Sequence, residues 1–165
     1  MDKSSILEEI EAAFPFVEMP SESELAFHLN GCRDCDDVRE ELEHYRGKEI
    51  TGKAIRAAHR YLSTLSAKAT RWILPHYLRF CFTAEAEYNR METESLIYSL
   101  GPGPGAEVLE EKLQRLSMLN ADQITCLIHF LEWCLGDEYW SQYCPEDIEL
   151  GLSFLADVLR RKAVT

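Results

Sequence analysis

The sequence lacks any long apolar run. None of its 165 residues lies in an uninterrupted apolar stretch close to the roughly 20 residues with which a helix crosses a bilayer. The first ten residues carry Asp2, Glu8 and Glu9 among short apolar groups, so they lack the basic segment and the apolar core of a secretion signal. We therefore expect no membrane partner, and we expect a soluble, cytoplasmic protein.

The familiar catalytic motifs are also absent. The sequence has no G-x-S-x-G, no H-E-x-x-H and no phosphate-binding loop. The segment GPGPG (101–105) is followed by Ala rather than the Lys-Ser/Thr of such a loop, and no strand precedes it. Carboxylate pairs such as Glu110 and Glu111 are typical of solvated helix surfaces. We expect that the protein is not an enzyme.

Acidic residues are missing from residues 50–83, which hold six basic side chains. Residues 1–49 carry 14 acidic and 5 basic side chains, and the formal net charge of the chain is −12. One interpretation is that the basic segment pairs internally with its acidic flanks. The other is that the flanks leave an acidic face that attracts a basic protein. Nucleic-acid binding requires clustered Lys and Arg with a basic balance, so we expect no nucleic-acid partner.

Alternating strand patterns of useful length are absent too, and helical periodicity with capping residues replaces them. Asp34 is predicted to cap a helix that reaches about Tyr45. Ser66 is predicted to cap the second helix after that one. Pro75 lies inside this helix and predicts either a kink or a new helix start there. Asn120 and Pro145 begin the last two predicted helices. The fold class is therefore predicted to be all-α.

The chain is short enough for one domain, and 46% of its residues are hydrophobic, which suffices for a core. We predict a single compact domain over residues 1–165, with six to eight helices around a buried central helix at 67–83. The GPGPG segment at 101–105 is predicted to be a turn or a short hinge.

The segment HLNGCRDC (28–35) carries the chemistry-bearing residues. Six cysteines without a secretion signal should stay reduced. A Cys-x-x-Cys pair is half of a structural zinc site, and His28 and His44 are candidates to complete Cys32 and Cys35. Only one such pair is present, so we expect two reduced thiols packed at a helix entrance and no cofactor, with zinc as the alternative. The helix dipole favours a thiolate at Cys35 and the three neighbouring aspartates oppose it, so the two effects cancel; no βαβ pattern surrounds the pair, and we expect no redox role.

Two segments of the sequence resemble a family of small bacterial proteins of unknown function. The first has a Cys-x-acid-Cys element before a helix, matched here by Cys32, Asp34 and Cys35. The second follows some thirty residues later, and its matching residues are Leu65, Ser66, Ala69, Trp72, Leu74, Pro75, Tyr77 and Leu78. The resemblance covers residues 28–82 and implies no activity. Glu49 stands where such proteins usually have a tryptophan.

Small, acidic, helical proteins without a catalytic set are typical of binding proteins. By this analogy we expect an immunity protein that neutralises a secreted antibacterial toxin, such as a basic nuclease. The alternative is a zinc-stabilised regulatory or adaptor domain. Two acidic clusters are predicted to bind the partner. They comprise Asp34, Asp36, Asp37, Glu40 and Glu41 in the first, and Asp137, Glu138, Tyr139 and Trp140 in the second. For Trp140 the alternative is that its ring packs on the core.

Overall fold

The computed structural model describes residues 2–163, and it is all-α, as predicted, with 70% of residues in helices. Within this range no strand forms, and one antiparallel bridge joins Ala26 to Leu65. The ten helices are α1 (Lys3–Ala13), α2 (Arg33–Glu43), α3 (Gly52–His59), α4 (Ala67–Cys81), α5 (Ala84–Asn89), α6 (Met91–Leu100), α7 (Ala106–Leu116), α8 (Ala121–Gly136), α9 (Trp140–Tyr143) and α10 (Pro145–Ala163). Eight of them have at least seven residues, which agrees with the predicted six to eight.

The helices belong to two compact units. The first comprises residues 2–15, 97–113 and 119–163, and the second comprises residues 16–96 and 114–118. No helix in the described part of the chain is long and apolar enough to cross a membrane. All four predicted metal ligands and the first acidic cluster lie in the second unit.

In the first unit, α1 and α10 both pack against α8. The buried face of α8 includes Leu127, Phe130 and Leu131. A side chain at Gly151 of α10 would meet Leu131 Cδ1 at 2.8 Å, so the glycine permits this close approach of the two helices. The predicted capping box is present, because Asn120 accepts the backbone N–H of Gln123 at 2.9 Å and Gln123 accepts that of Asn120 at 3.0 Å.

In the second unit, α4 is the predicted buried helix, and nine of its 15 residues are buried. Ser66 caps it by accepting the backbone N–H of Ala69 at 3.0 Å. The helix continues through Pro75, so the alternative in which Pro75 starts a new helix is wrong. Tyr77 is fully buried, and its hydroxyl donates a hydrogen bond of 2.9 Å to the Glu92 carbonyl.

The basic segment pairs with acidic side chains on both of its flanks, as the first interpretation of the charge pattern expects. Lys68 pairs with Glu24 upstream. Arg56 lies 3.7 Å from Glu92 downstream, measured from Nε to Oε1. The side chain of Glu92 is fully buried, so this contact offsets part of the cost of taking a carboxylate out of water.

Several boundaries differ from the prediction. Cys32, not Asp34, is the N-cap of α2, and the backbone of Cys32 is extended (φ −123°, ψ 110°). Asp34 therefore lies in the first turn, where the helix dipole favours its carboxylate. Helices α5, α7 and α9 were not predicted. Helices α5 and α9 are short, and α7 directly follows the GPGPG turn. The stability of such helices depends on tertiary packing.

We predict that Trp72→Ala lowers the free energy of unfolding by about 3–5 kcal/mol, the usual cost of truncating a large buried aromatic residue. The Trp72 side chain is 4% exposed on α4. Urea denaturation followed by circular dichroism would measure the change. Tyr88→Ala is the control, because Tyr88 is 88% exposed, and we expect a change within about 0.5 kcal/mol. Similar stability of the two variants would contradict the role of Trp72 in the core.

Candidate metal centre

The chain before α2 is held by backbone hydrogen bonds to the segment that precedes α4. The N–H of Phe27 donates to the Thr64 carbonyl at 2.7 Å, and the N–H of Ser66 donates to the Leu25 carbonyl at 3.2 Å. Gly31 then adopts φ +78°, a left-handed conformation that side chains disfavour. The turn at Gly31 leads the chain from His28 back to the start of α2.

The two cysteines lie on the first turn of α2, with Cys32 at the N-cap and Cys35 three residues later. Residues three apart on a helix are neighbours on its surface, so the two sulfur atoms share one side. Cys35 is fully buried, Cys32 is half-buried and His28 is exposed. The side of the cluster formed by His28 is therefore open to solvent.

The three side chains that the sequence singled out meet in space. The Cys35 Sγ atom lies 3.6 Å from His28 Nδ1, and the candidate ligand atoms of His28, Cys32 and Cys35 all lie within 4.8 Å of one another. Two sulfurs and one imidazole nitrogen are a donor set that suits zinc. This arrangement differs from the expectation of two simply packed thiols, because the histidine joins them.

Arg39 holds the histidine side of the cluster in place, and the sequence analysis did not single it out. Its largely buried guanidinium donates to the His28 carbonyl and, at 2.8 Å, to Asp36 Oδ1. Arg39 lies one turn beyond Cys35 on the same buried face of α2. An arginine among the apolar positions of an amphipathic helix was the signal that could have revealed it.

The surroundings of Cys35 favour its protonated thiol. Burial raises the pKa of the Cys35 thiol, and the adjacent Cys32 raises it further. All six cysteines are free. A reactive redox thiol requires a lowered pKa, so the burial of Cys35 disfavours redox chemistry at this thiol.

The structure does not bring His44 to this cluster. His44 directly follows α2, and its Nδ1 lies 2.7 Å from the Glu40 carbonyl. Nine residues of helix separate it from Cys35, which corresponds to a rise of about 13 Å. The predicted fourth ligand is therefore at the other end of α2.

The first predicted acidic cluster lies on the outer side of α2. Asp34 and Glu40 are exposed, and neither forms an ion pair within the described residues. The other three carboxylates pair with arginines. These pairs are Asp36 with Arg39 at 2.8 Å, Asp37 with Arg33 at 3.9 Å and Glu41 with Arg60 at 4.0 Å.

A groove of about 540 Å³ runs beside this cluster. Its lining includes Glu22, Asp36, Glu40 and Glu43, together with the side chains of Arg39 and His44. Glu43 already pairs with Arg46. The lining is therefore mainly acidic.

The second predicted cluster is arranged differently. Asp137 Oδ1 accepts the backbone N–H groups of Tyr139 at 3.0 Å and Trp140 at 3.2 Å, so Asp137 caps the turn into α9. The Trp140 side chain is 5% exposed and packs edge-on against Tyr139, with ring centroids 4.9 Å apart. Trp140 is thus a packing residue, one of the two roles that the sequence allowed, and its part in partner binding stays a prediction. Glu138 remains exposed.

Comparison with known proteins identifies the family but no activity. Residues 2–143 match a family described as a family of unknown function (DUF6714). The chain belongs to this family. No curated protein and no solved structure matches the chain.

This match includes the whole candidate metal centre and α2. It agrees with the predicted resemblance to a family of unknown function, which rested on residues 28–82, and it extends the resemblance over most of the chain. Membership of DUF6714, a family of unknown function, assigns no activity to this chain.

We predict that Cys32 is alkylated first when the native, metal-free protein is treated with iodoacetamide. Cys32 is half-buried, whereas burial raises the pKa of Cys81 and of Cys126 to about 12 and also raises that of Cys35. Thiolates are the reactive form. Mass spectrometry of peptides would give the order of modification, and protein unfolded in guanidinium should react at all six cysteines. Faster labelling of Cys35 than of Cys32 would contradict the arrangement.

Proposed function

We propose that this protein is a protein-binding inhibitor that docks a basic partner on the outer face of α2. The observation that carries the proposal is the concentration of exposed carboxylates there. Helix α2 has six acidic and two basic side chains among its 11 residues. Its apolar inner face includes Val38 and Leu42, which are fully buried, so the helix is anchored while its outer face remains available.

The ion pairs on α2 leave the outer face of the helix available to a partner. Asp37 and Arg33 are both substantially exposed, and exposed pairs contribute only about 0–1 kcal/mol. A partner can therefore replace the Asp37–Arg33 pair at little cost. Asp34 and Glu40 are exposed without a pairing cation in residues 2–163, so a cationic side chain from a partner gains their full attraction.

The acidic groove beside α2 suits the anchoring side chain of such a partner. Carboxylates such as Asp36 and Glu40 line it, and a guanidinium group binds carboxylates through paired hydrogen bonds. The net charge of −12 also favours fast encounter with a basic protein and opposes the approach of nucleic acid.

The most specific form of the proposal is an immunity protein, which neutralises a basic antibacterial toxin in the cytoplasm of the bacterium that produces it. An all-α fold and a strongly acidic balance support this form by analogy with other inhibitors of basic enzymes. It implies that the protein itself is not an enzyme.

A second candidate, a zinc-stabilised adaptor domain, is favoured by the convergence of His28, Cys32 and Cys35. The three candidate ligands connect the loop before α2 to the first turn of the same helix. In this candidate, the metal holds the helix that carries the docking surface. The two candidates differ in the consequence of binding, which is inhibition of a toxin in one and recruitment of a partner in the other.

We predict that replacing Asp34 and Glu40 by lysine abolishes the capture of a basic partner. The purified chain would be the bait in a lysate of its own cells, and quantitative mass spectrometry would compare the captured proteins. Glu132→Lys with Glu149→Lys is the matched control, since both are exposed positions in the first unit and the net charge changes equally. We expect the control to retain the partner.

Binding kinetics of the captured partner would then test the mechanism. Association should slow with rising salt, and it should slow further for the α2 variant, because screening and charge reversal act mainly on the encounter. Equal binding by the α2 variant and its control would contradict docking on α2. For the immunity form, the partner should be toxic when expressed alone and harmless when expressed with this chain.

A further inference from the structure

We propose that His28, Cys32 and Cys35 bind one zinc ion through three protein ligands, with the fourth coordination position occupied by water. The site lies at the start of α2, and it does not depend on the proposed function. The expectation from the sequence was two packed thiols without a metal, and the spatial arrangement of the three side chains is the reason for revising it.

The distances within the cluster match the dimensions of a zinc tetrahedron. Zinc–sulfur bonds of about 2.3 Å and zinc–nitrogen bonds of about 2.0–2.1 Å place a sulfur and a nitrogen ligand about 3.6 Å apart. The Cys35 Sγ atom and His28 Nδ1 are 3.6 Å apart. The remaining separations are at most 4.8 Å, so a shift of about 1 Å by a side chain brings them to the tetrahedral values of about 3.6 Å between sulfur and nitrogen and about 3.8 Å between the two sulfurs.

The backbone around the cluster is constrained in the manner of a ligand site. Arg39 is 8% exposed, and its guanidinium donates to the carbonyl of His28 itself. The turn at Gly31 requires a left-handed backbone. The bond from Arg39 fixes the backbone from which the His28 side chain projects, and groups that hold metal ligands in position raise affinity. A pair of cysteines that served only as apolar packing would need neither the exposed histidine nor its buried arginine support.

The identity and charge of the donors favour zinc. Thiolates select Zn²⁺, Cu⁺ and iron–sulfur clusters, whereas imidazole suits zinc among other transition metals. Binding transfers the thiol protons of Cys32 and Cys35 to solvent, and the two thiolates then balance the charge of Zn²⁺. The centre formed by the metal and the two thiolates has no net charge, so it is compatible with the burial of Cys35.

The open position follows from the surroundings of the cluster. Among the described residues, the group of potential ligands contains His28, Cys32 and Cys35 and no fourth His, Cys, Asp or Glu. His44 is at the far end of α2. Because His28 is exposed, water reaches the metal and completes the tetrahedron, as it does in sites with three protein ligands.

Metal titration of the full-length protein would test the proposal. The protein would be stripped of metal under reducing conditions and titrated with Zn²⁺ in competition with a chromogenic chelator. We expect one zinc per chain. Loss of a supporting hydrogen bond lowers metal affinity about 10- to 100-fold, so we expect losses greater than ~100-fold for the ligand variants Cys32→Ser and His28→Ala.

Variants outside the proposed ligand set serve as controls for the zinc affinity. His44→Ala should retain the affinity, because His44 bonds to the Glu40 carbonyl away from the cluster. Cys144→Ser should also retain it, because Cys144 is not a member of the ligand group of His28, Cys32 and Cys35. Cys35 is buried, so Cys35→Ser could fail to fold. Cys32 is half-buried and His28 is exposed, so their variants should fold. The zinc affinities of these two variants decide whether the proposed site exists.

Cobalt substitution would report the geometry. We expect Co²⁺ to give thiolate-to-metal charge-transfer absorption and the intense visible bands of a tetrahedral site. Addition of imidazole should shift the visible bands by displacing water from the fourth position, in the wild type and in His44→Ala alike. Bands that imidazole leaves unchanged would overturn the open position.

Absence of stoichiometric zinc binding by the wild type would overturn the metal site itself. Unchanged zinc affinity in Cys32→Ser and in His28→Ala would also overturn it. These measurements use no protein partner, so their failure is distinguishable from failure of the docking proposal. Conversely, the α2 charge variants keep all three proposed ligands and should still bind one zinc.

Discussion

The contact between Arg39 and the carbonyl of His28 is the constraint on which the candidate site depends. It connects the inner face of α2 to the loop that precedes the helix. A largely buried guanidinium requires polar partners, and Arg39 finds them in this carbonyl and in Asp36. The loop therefore has to fold back over the first turn of α2, and His28 comes to lie beside Cys35.

Helix α2 thus combines two chemical surfaces. Its buried side carries Cys35, Val38 and Leu42 into the core of the second unit, while its outer side presents carboxylates to solvent. A metal at the N-terminal end of the helix would fix the entry of the chain without using the acidic face. Because the two surfaces are separate, one 11-residue helix can carry both the proposed zinc site and the proposed docking surface. Each proposal can be tested without the other.

Some features set by residues close together in the sequence were predicted correctly, whereas a feature set by distant parts of the chain was left open. Ser66 and Asn120 were recognised as caps because a cap bonds to a backbone group three residues away. The charged neighbours of Trp140 left two interpretations open, an interface anchor and a residue packed on the core, and the ring is buried. The burial of an aromatic side chain depends on distant parts of the chain, and the charges beside it carry no information about that packing.

The amino-acid sequence by itself determined the all-α class, the buried character of α4 and the identity of the candidate ligands, because periodicity, capping and side-chain chemistry are properties of short segments. Only the tertiary structure decided which ligands meet. Cys32 and Cys35 are close in any helix that starts at Arg33, but His28 joins them only because Gly31 turns the chain and Arg39 holds it there. His44 is excluded because the rigid rise of α2 carries it away from the helix start.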